Sequence, residues 1–167
     1  MPLKTFKAEG WPAMAGWLTE ENSSALGRAI IYRAMADVGI LETPLASNRG
    51  VRIDRYAKRA GSPLGSWWCA IWTGAVFADC GALVPVGYPA CDSWLPFVQK
   101  EPVIGAAVLY GVRGDAHHIG VVARLEPMVL TIEGNRGFAG TTNNGVAVDI
   151  GPMQRRDILG YFHPRTA

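Results

Sequence analysis

Four polar side chains have the types and the chain order that thiol chemistry requires: Cys69, His118, Glu133 and Asn135. Cys69 stands in Gly65-Ser66-Trp67-Trp68-Cys69-Ala70-Ile71-Trp72, where a loop marked by glycine and proline gives way to an unbroken apolar segment. A thiol in the first turn of a helix meets unpaired backbone N–H groups and the positive end of the helix dipole. Both favour the thiolate, the nucleophilic form of cysteine. His118 is the residue type that takes a proton from such a thiol and returns it to a leaving amine. Glu133 would fix the ring's tautomer and stabilise the imidazolium, and Asn135 would orient the ring or polarise a substrate. The expected reaction is attack on an amide carbonyl, a thioester intermediate, then hydrolysis, with the backbone N–H of Cys69 as an oxyanion donor.

These residues need elements to carry them. Asn22-Ser23-Ser24 supplies N-cap chemistry for a helix over about residues 24–38, whose apolar positions Leu26, Ile30, Ile31, Met35 and Val38 keep helical spacing. Gly39 ends it. A shorter helix is suggested by Ile53, Tyr56, Ala57 and Ala60 and is broken by Gly61-Ser62-Pro63-Leu64-Gly65. The segment from Trp68 to Cys80 is apolar nearly all round, as a helix inside a core must be, and Gly81 is a fitting stop. The second half holds short β-prone runs at Ala106–Tyr110, His118–Leu125, Val129–Glu133, Val146–Ile150 and Ile158–Phe162. Helices first and strands later predict an α+β domain with an antiparallel sheet.

The runs His118–Leu125 and Val129–Glu133 are separated by Glu126-Pro127-Met128, and together they read as a hairpin. Centring the turn between Glu126 and Pro127 puts Ile119, Val121 and Ala123 on one face with Ile132 and Leu130. The other face then carries His118 opposite Asn135, with Glu133 two residues away. A one-residue slip would separate His118 from Glu133 and split the apolar set as well. Alternation also favours His118 over His117 as the base, leaving His117 facing away.

The 167 residues fit one domain, with residues 1–21 as an N-terminal arm anchored by Trp11 and Trp17. Hydrophobic residues make up 49% and charged residues 18%, a composition that folds. A net charge of +2 without a dense Lys/Arg cluster argues against nucleic acid as a partner. The N-terminal stretch lacks an apolar signal region and no run is long enough to span a bilayer, so the expectation is a monomer made in the cytoplasm without membrane insertion. The spacing of Cys69, Cys80 and Cys91 does not suggest a metal site, and no cofactor is implied. Cys69 and Cys80 would lie roughly 16 Å apart along one helix, too far to bridge. A Cys80–Cys91 disulfide is sterically open, with two buried thiols the expected state. Trp67, Trp68, Trp72 and Trp94 could line a groove; Trp68 is the best substrate-binding candidate, while Trp72 and Trp94 read as core. Arg136, Asn143 and Asn144 sit in polar stretches that suit substrate recognition or ordinary turns.

The stretch NRGVRIDRYAKRAGSPLGSWWCAIWTGAVFADCG (residues 48–81) resembles the front half of a CHAP domain, the cysteine- and histidine-dependent amidohydrolase/peptidase group of the papain-like NlpC superfamily. HHIGVVARLEPMVLTIEGN (residues 117–135) resembles its back half, and GTTNNGVAVDIGPMQRRDILGYFHP its closing strands. The resemblance covers roughly residues 22–164. One departure is Gly105-Ala106, where the family often has Gly-Asp. The resemblance implies a papain-like fold, with the nucleophile at the start of a buried helix packed on an antiparallel sheet. It implies peptidoglycan as substrate, cut at the N-acetylmuramoyl–L-alanine amide or at a peptide bond of the stem or cross-bridge. It maps the nucleophile to Cys69, the base to His118 and the supporting polar residues to Glu133 and Asn135. A phage lysin or an exported effector, the latter with an immunity partner, would act on the wall after release or export. The alternatives on the same fold are a catalytically idle wall-binding module and a thiol acyltransferase.

Overall fold

The structure is a computed structural model and describes residues 18–137, 145–153 and 157–166. Trp11, Trp17, Asn143 and Asn144 lie outside the described residues. Helix α1 spans Ala25–Met35, α2 spans Val51–Arg59 and α3 spans Cys69–Asp79, followed by a 3-10 helix over Cys91–Phe97. Strands β1 (Ala107–Val112), β2 (Asp115–Arg124), β3 (Leu130–Arg136), β4 (Ala147–Pro152) and β5 (Ile158–Phe162) form one antiparallel sheet in the order β4-β3-β2-β1-β5. The fold is therefore α+β, as the change of pattern along the sequence predicts.

Local chemistry explains the boundaries. Ser24 caps α1 by accepting the N–H of Gly27 at 3.0 Å. The helix stops short of the expected 38 because the chain tightens into turns, with Asp37 N–H on Ala34 O and Val38 N–H on Met35 O, before Gly39 at φ +91°. Helix α3 ends in a Schellman arrangement: Ala82 N–H donates to Phe77 O, Gly81 N–H donates to Ala78 O, and Gly81 sits at φ +72°. The 3-10 helix was not foreseen; it is held by Trp94, whose ring is buried and whose indole N–H donates to Tyr88 O at 2.9 Å.

Every residue of α3 from Cys69 to Phe77 is buried. The helix packs on β2 and β3 on one side and on α1 and α2 on the other. Ile119, Val121, Ala123 and Ile132 face this core, while Val108, Tyr110, Val122 and Tyr161 form a second apolar layer on the opposite side of the sheet. The hairpin register is the expected one where Val121 lies opposite Ile132 and Val122 opposite Thr131, but it shifts by one toward the turn, where Leu130 pairs with Arg124 rather than Ala123. Gly134 lets α3 approach β3 closely, since a Cβ there would stand 3.0 Å from Trp72 and 3.1 Å from Trp68.

Two buried carboxylates fix α3 by its tryptophans. Asp37 accepts the Trp72 indole N–H at 2.9 Å and the Tyr56 hydroxyl, and pairs with Arg33 at 3.0 Å and Arg52 at 2.7 Å. It thereby joins the end of α1, α2 and α3 at one point. Glu42 accepts the Trp68 indole N–H at 2.8 Å on one oxygen and the backbone N–H of Asn48 at 2.9 Å on the other. Removing one partner of a buried, hydrogen-bonded ion pair strands the rest. Asp37→Ala should lower the unfolding free energy by about 3–5 kcal/mol, measured by urea denaturation followed on tryptophan fluorescence. A loss below about 1 kcal/mol would show that Asp37 does not hold the three helices together.

Candidate active site

Cys69 is the first residue of α3, where the N–H groups of the opening turn have no partner within the helix. The thiol is buried, so a charge there must be compensated locally. One of its polar neighbours is a residue the sequence reading missed. The sulfur of Cys91, which opens the 3-10 helix, is 3.8 Å from that of Cys69. All three cysteines are free thiols, and Cys91 turns toward Cys69 rather than forming the Cys80–Cys91 pair left open above.

His118 reaches the site from β2. The pairing of β1 with β2 shifts between Tyr110 and Gly111, leaving His117 as an extra residue directly before His118. Bulges of this kind re-aim the side chains next to them. His118 Nε2 is 3.0 Å from Glu133 Oε2, both side chains being almost wholly buried. That contact leaves Nδ1 as the ring nitrogen for the thiol, and the two groups act on each other's charge: His118 favours the Cys69 thiolate, and Cys69 favours the His118 imidazolium.

Glu133 is the hub. Its Oε1 accepts the Tyr110 hydroxyl at 3.0 Å and the Thr131 hydroxyl at 2.5 Å, and Arg136 Nε lies 4.0 Å from Oε2. Gly120 makes room for it, because a Cβ there would stand 2.3 Å from Glu133 Cγ. The glycine of the His-Ile-Gly run is thus a steric requirement of the carboxylate. Tyr110 lies opposite His118 in the β1–β2 pairing. Thr131 is two residues from Glu133 on the same face, a placement that strand alternation alone makes legible in the sequence.

The charges support one another. The Cys91 thiol does most to lower the pKa of Cys69. Burial opposes this, and His118 and the Ala70 N–H add to it, so the thiol sits well below its ordinary 9.0. Burial alone would lower His118, but hydrogen bonds and charge from Cys69 and Glu133 raise it from 6.5 to about 10. Burial would raise Glu133, but His118, Arg136 and Thr131 bring it from 4.5 to about 2. The three shifts together favour thiolate, imidazolium and carboxylate over the neutral forms. Their signs follow from linkage: the His118 charge stabilises the fold fully below pH 6.5 and is lost as pH rises through about 10, while that of Glu133 holds above pH 4.5 and is lost as pH falls through about 2.

The structure brings Cys69, His118 and Glu133 together and leaves three other expectations unmet. Asn135 forms no hydrogen bond to His118 among the described residues; its Oδ1 is buried without a partner. Its φ of +56° and the register shift between Glu133 and Arg136 break the strand alternation on which the His118–Asn135 pairing rested. Trp68 is not a groove residue. It is 1% exposed, its N–H is bound to Glu42, and its ring lies against β3, whereas Trp67 is 65% exposed. Arg136 is a strand residue whose guanidinium binds Pro152 O at 3.0 Å, not a loop residue offered to substrate. Trp72 and Trp94 are core, as expected.

Among the described residues no group of three or more His, Cys, Asp or Glu side chains is placed to hold a metal ion, and no helix is long and apolar enough to cross a membrane. No family model, no curated protein and no solved structure matches this chain.

Alkylation by iodoacetamide reads the thiolate directly. Its rate at Cys69 should already be on a plateau at neutral pH, with a midpoint well below 9.0. Glu133→Gln removes the charge that supports the imidazolium, so the Cys69 midpoint should move up by about a unit or more. A wild-type midpoint at about 8.5, that of a free thiol, would contradict the coupled charge state.

Proposed function

We propose that this chain is a peptidoglycan hydrolase of the CHAP type, with a papain-like arrangement, cutting an amide bond through a cysteine thioester. The observation that carries the reading is the Cys69–His118–Glu133 relay: a thiol at the start of a buried helix, coupled to an imidazole whose far nitrogen is 3.0 Å from a buried carboxylate. The order of the three along the chain is that of the family the motifs resemble. The presence of all three parts favours a working enzyme over an idle wall-binding module.

The chemistry follows from the charge state. The Cys69 thiolate attacks the carbonyl carbon, and the developing oxyanion is met by N–H groups of the first turn of α3. His118, already protonated, gives its proton to the departing amine. Glu133 keeps Nε2 as a donor throughout, so the ring presents the same nitrogen to sulfur and to the leaving group. The neutral imidazole then takes a proton from water, which attacks the thioester and releases Cys69. Protonation of the thiolate removes the nucleophile on the acid side, and loss of the imidazolium proton at about 10 removes the general acid on the alkaline side. The pH–rate profile should be a broad plateau that falls at both ends.

Purified sacculi incubated with the wild type should release fragments whose masses identify the amide bond. Cys69→Ser should slow release by at least about 100-fold and His118→Ala by about 10²–10⁴-fold. Equal digestion by wild type and Cys69→Ser would end the assignment of the nucleophile.

A further inference from the structure

A second sulfur beside a nucleophilic one has a chemistry of its own. The pair is held in place from several sides. Asp92, the residue after Cys91, accepts the Ala116 N–H at 2.7 Å, tying the start of the 3-10 helix to β2 two residues before His118. Trp94 pins the same short helix into the core, edge-on to Phe77 of α3 and to Phe162. Cys69 is fixed as the first residue of α3. The two sulfurs thus meet at 3.8 Å from rigid neighbours, and Cys91 is half-buried rather than sealed.

We propose that Cys91 is a resolving cysteine: under oxidation by a hydroperoxide it closes a reversible Cys69–Cys91 disulfide that masks the active-site thiol and protects it from irreversible oxidation. The 3.8 Å gap must close to about 2.05 Å, a movement of less than 2 Å that χ1 rotation of two side chains can supply. In the first step the Cys69 thiolate attacks one peroxide oxygen. An S–O bond forms, the O–O bond breaks, and the alcohol leaves with the proton held by His118, giving a sulfenic acid. In the second step the Cys91 sulfur displaces the hydroxyl. An S–S bond forms, and the hydroxyl departs as water with the Cys91 proton. In sum two thiols and one hydroperoxide give a disulfide, an alcohol and water; the sulfurs lose two electrons and the peroxide gains them. An external dithiol reverses the bond by exchange.

The charge state suits this order of events. The Cys69 thiolate beside it is the main reason that the Cys91 thiol is raised far above its ordinary value, with burial adding to it. Conversion of Cys69 to a neutral sulfenic acid removes that cause, so Cys91 becomes a better nucleophile when a partner appears. Cys80, at the far end of α3, serves as an internal control. Burial and Asp79 raise its thiol.

This proposal rests on reading Cys69 as the reactive thiol, but its test does not need a substrate. Reduced wild type treated with a small excess of hydrogen peroxide should lose about 2 Da, yield a crosslinked Cys69–Cys91 peptide pair, and leave only Cys80 open to iodoacetamide. Dithiothreitol should restore labelling of all three. Cys80→Ser should behave as the wild type does, whereas Cys91→Ser should show no crosslink and instead gain about 32 Da at Cys69 as the sulfinic acid. Wild type that gains oxygen at Cys69 without losing 2 Da, or a crosslink that involves Cys80, would overturn the proposal. Intact sacculi with a normal Cys69–Cys91 crosslink would remove the hydrolase reading alone. Digested sacculi without the crosslink would remove the latch alone.

Discussion

Helix α3 has no polar face from Cys69 to Phe77, and the rest of the structure is arranged around that constraint. The run Cys69–Phe77 is too apolar to leave any side in water, so this part of the helix must be wrapped by the sheet on one side and by α1 and α2 on the other. Wrapping it also buries the indole N–H groups of Trp68 and Trp72, and each then needs an acceptor out of reach of water. Glu42 and Asp37 meet that need, and in doing so they fix the position of the helix start. The thiol at that start is placed by the same packing.

A charge in such a place survives only in company. Burial disfavours the Cys69 thiolate, the His118 imidazolium and the Glu133 carboxylate taken singly, and the charged form of each is favoured by the next. The line ends at Tyr110 and Thr131, neutral donors that satisfy the remaining carboxylate oxygen without adding charge. Gly120 belongs to the same arrangement although it carries no chemistry, because only the absence of a Cβ lets the carboxylate cross β2. Such interdependence makes the relay an all-or-none unit, for which the effects of single substitutions will not add.

The second thiol changes how the site is understood. Cys91 stabilises the thiolate that its neighbour needs, and it is also the group best placed to capture that neighbour once oxidised. Both roles depend on the 3-10 helix being clamped between β2 and the aromatic core, since a mobile loop would hold neither a hydrogen bond nor a bridging distance.

Period-2 and period-3.6 patterns settled the element types, the α+β class and the hairpin register, because burial on a helix or strand face leaves its trace at fixed spacing. The link between His118 and Glu133 was legible for the same reason. The reading failed wherever position depended on a departure from regular geometry: the left-handed Asn135, the shift that carries Arg136 out of register, and the inward turn of Trp68 at the residue capping α3. Cys91 left no trace at all, being 22 residues from Cys69 in a short 3-10 helix with no periodicity to read. Local sequence could single out Cys69, His118 and Glu133 because each is dictated by its own element. Which thiol lies against which, and which tryptophan faces water, were decided by packing between elements distant in the chain, where no local spacing carries the information.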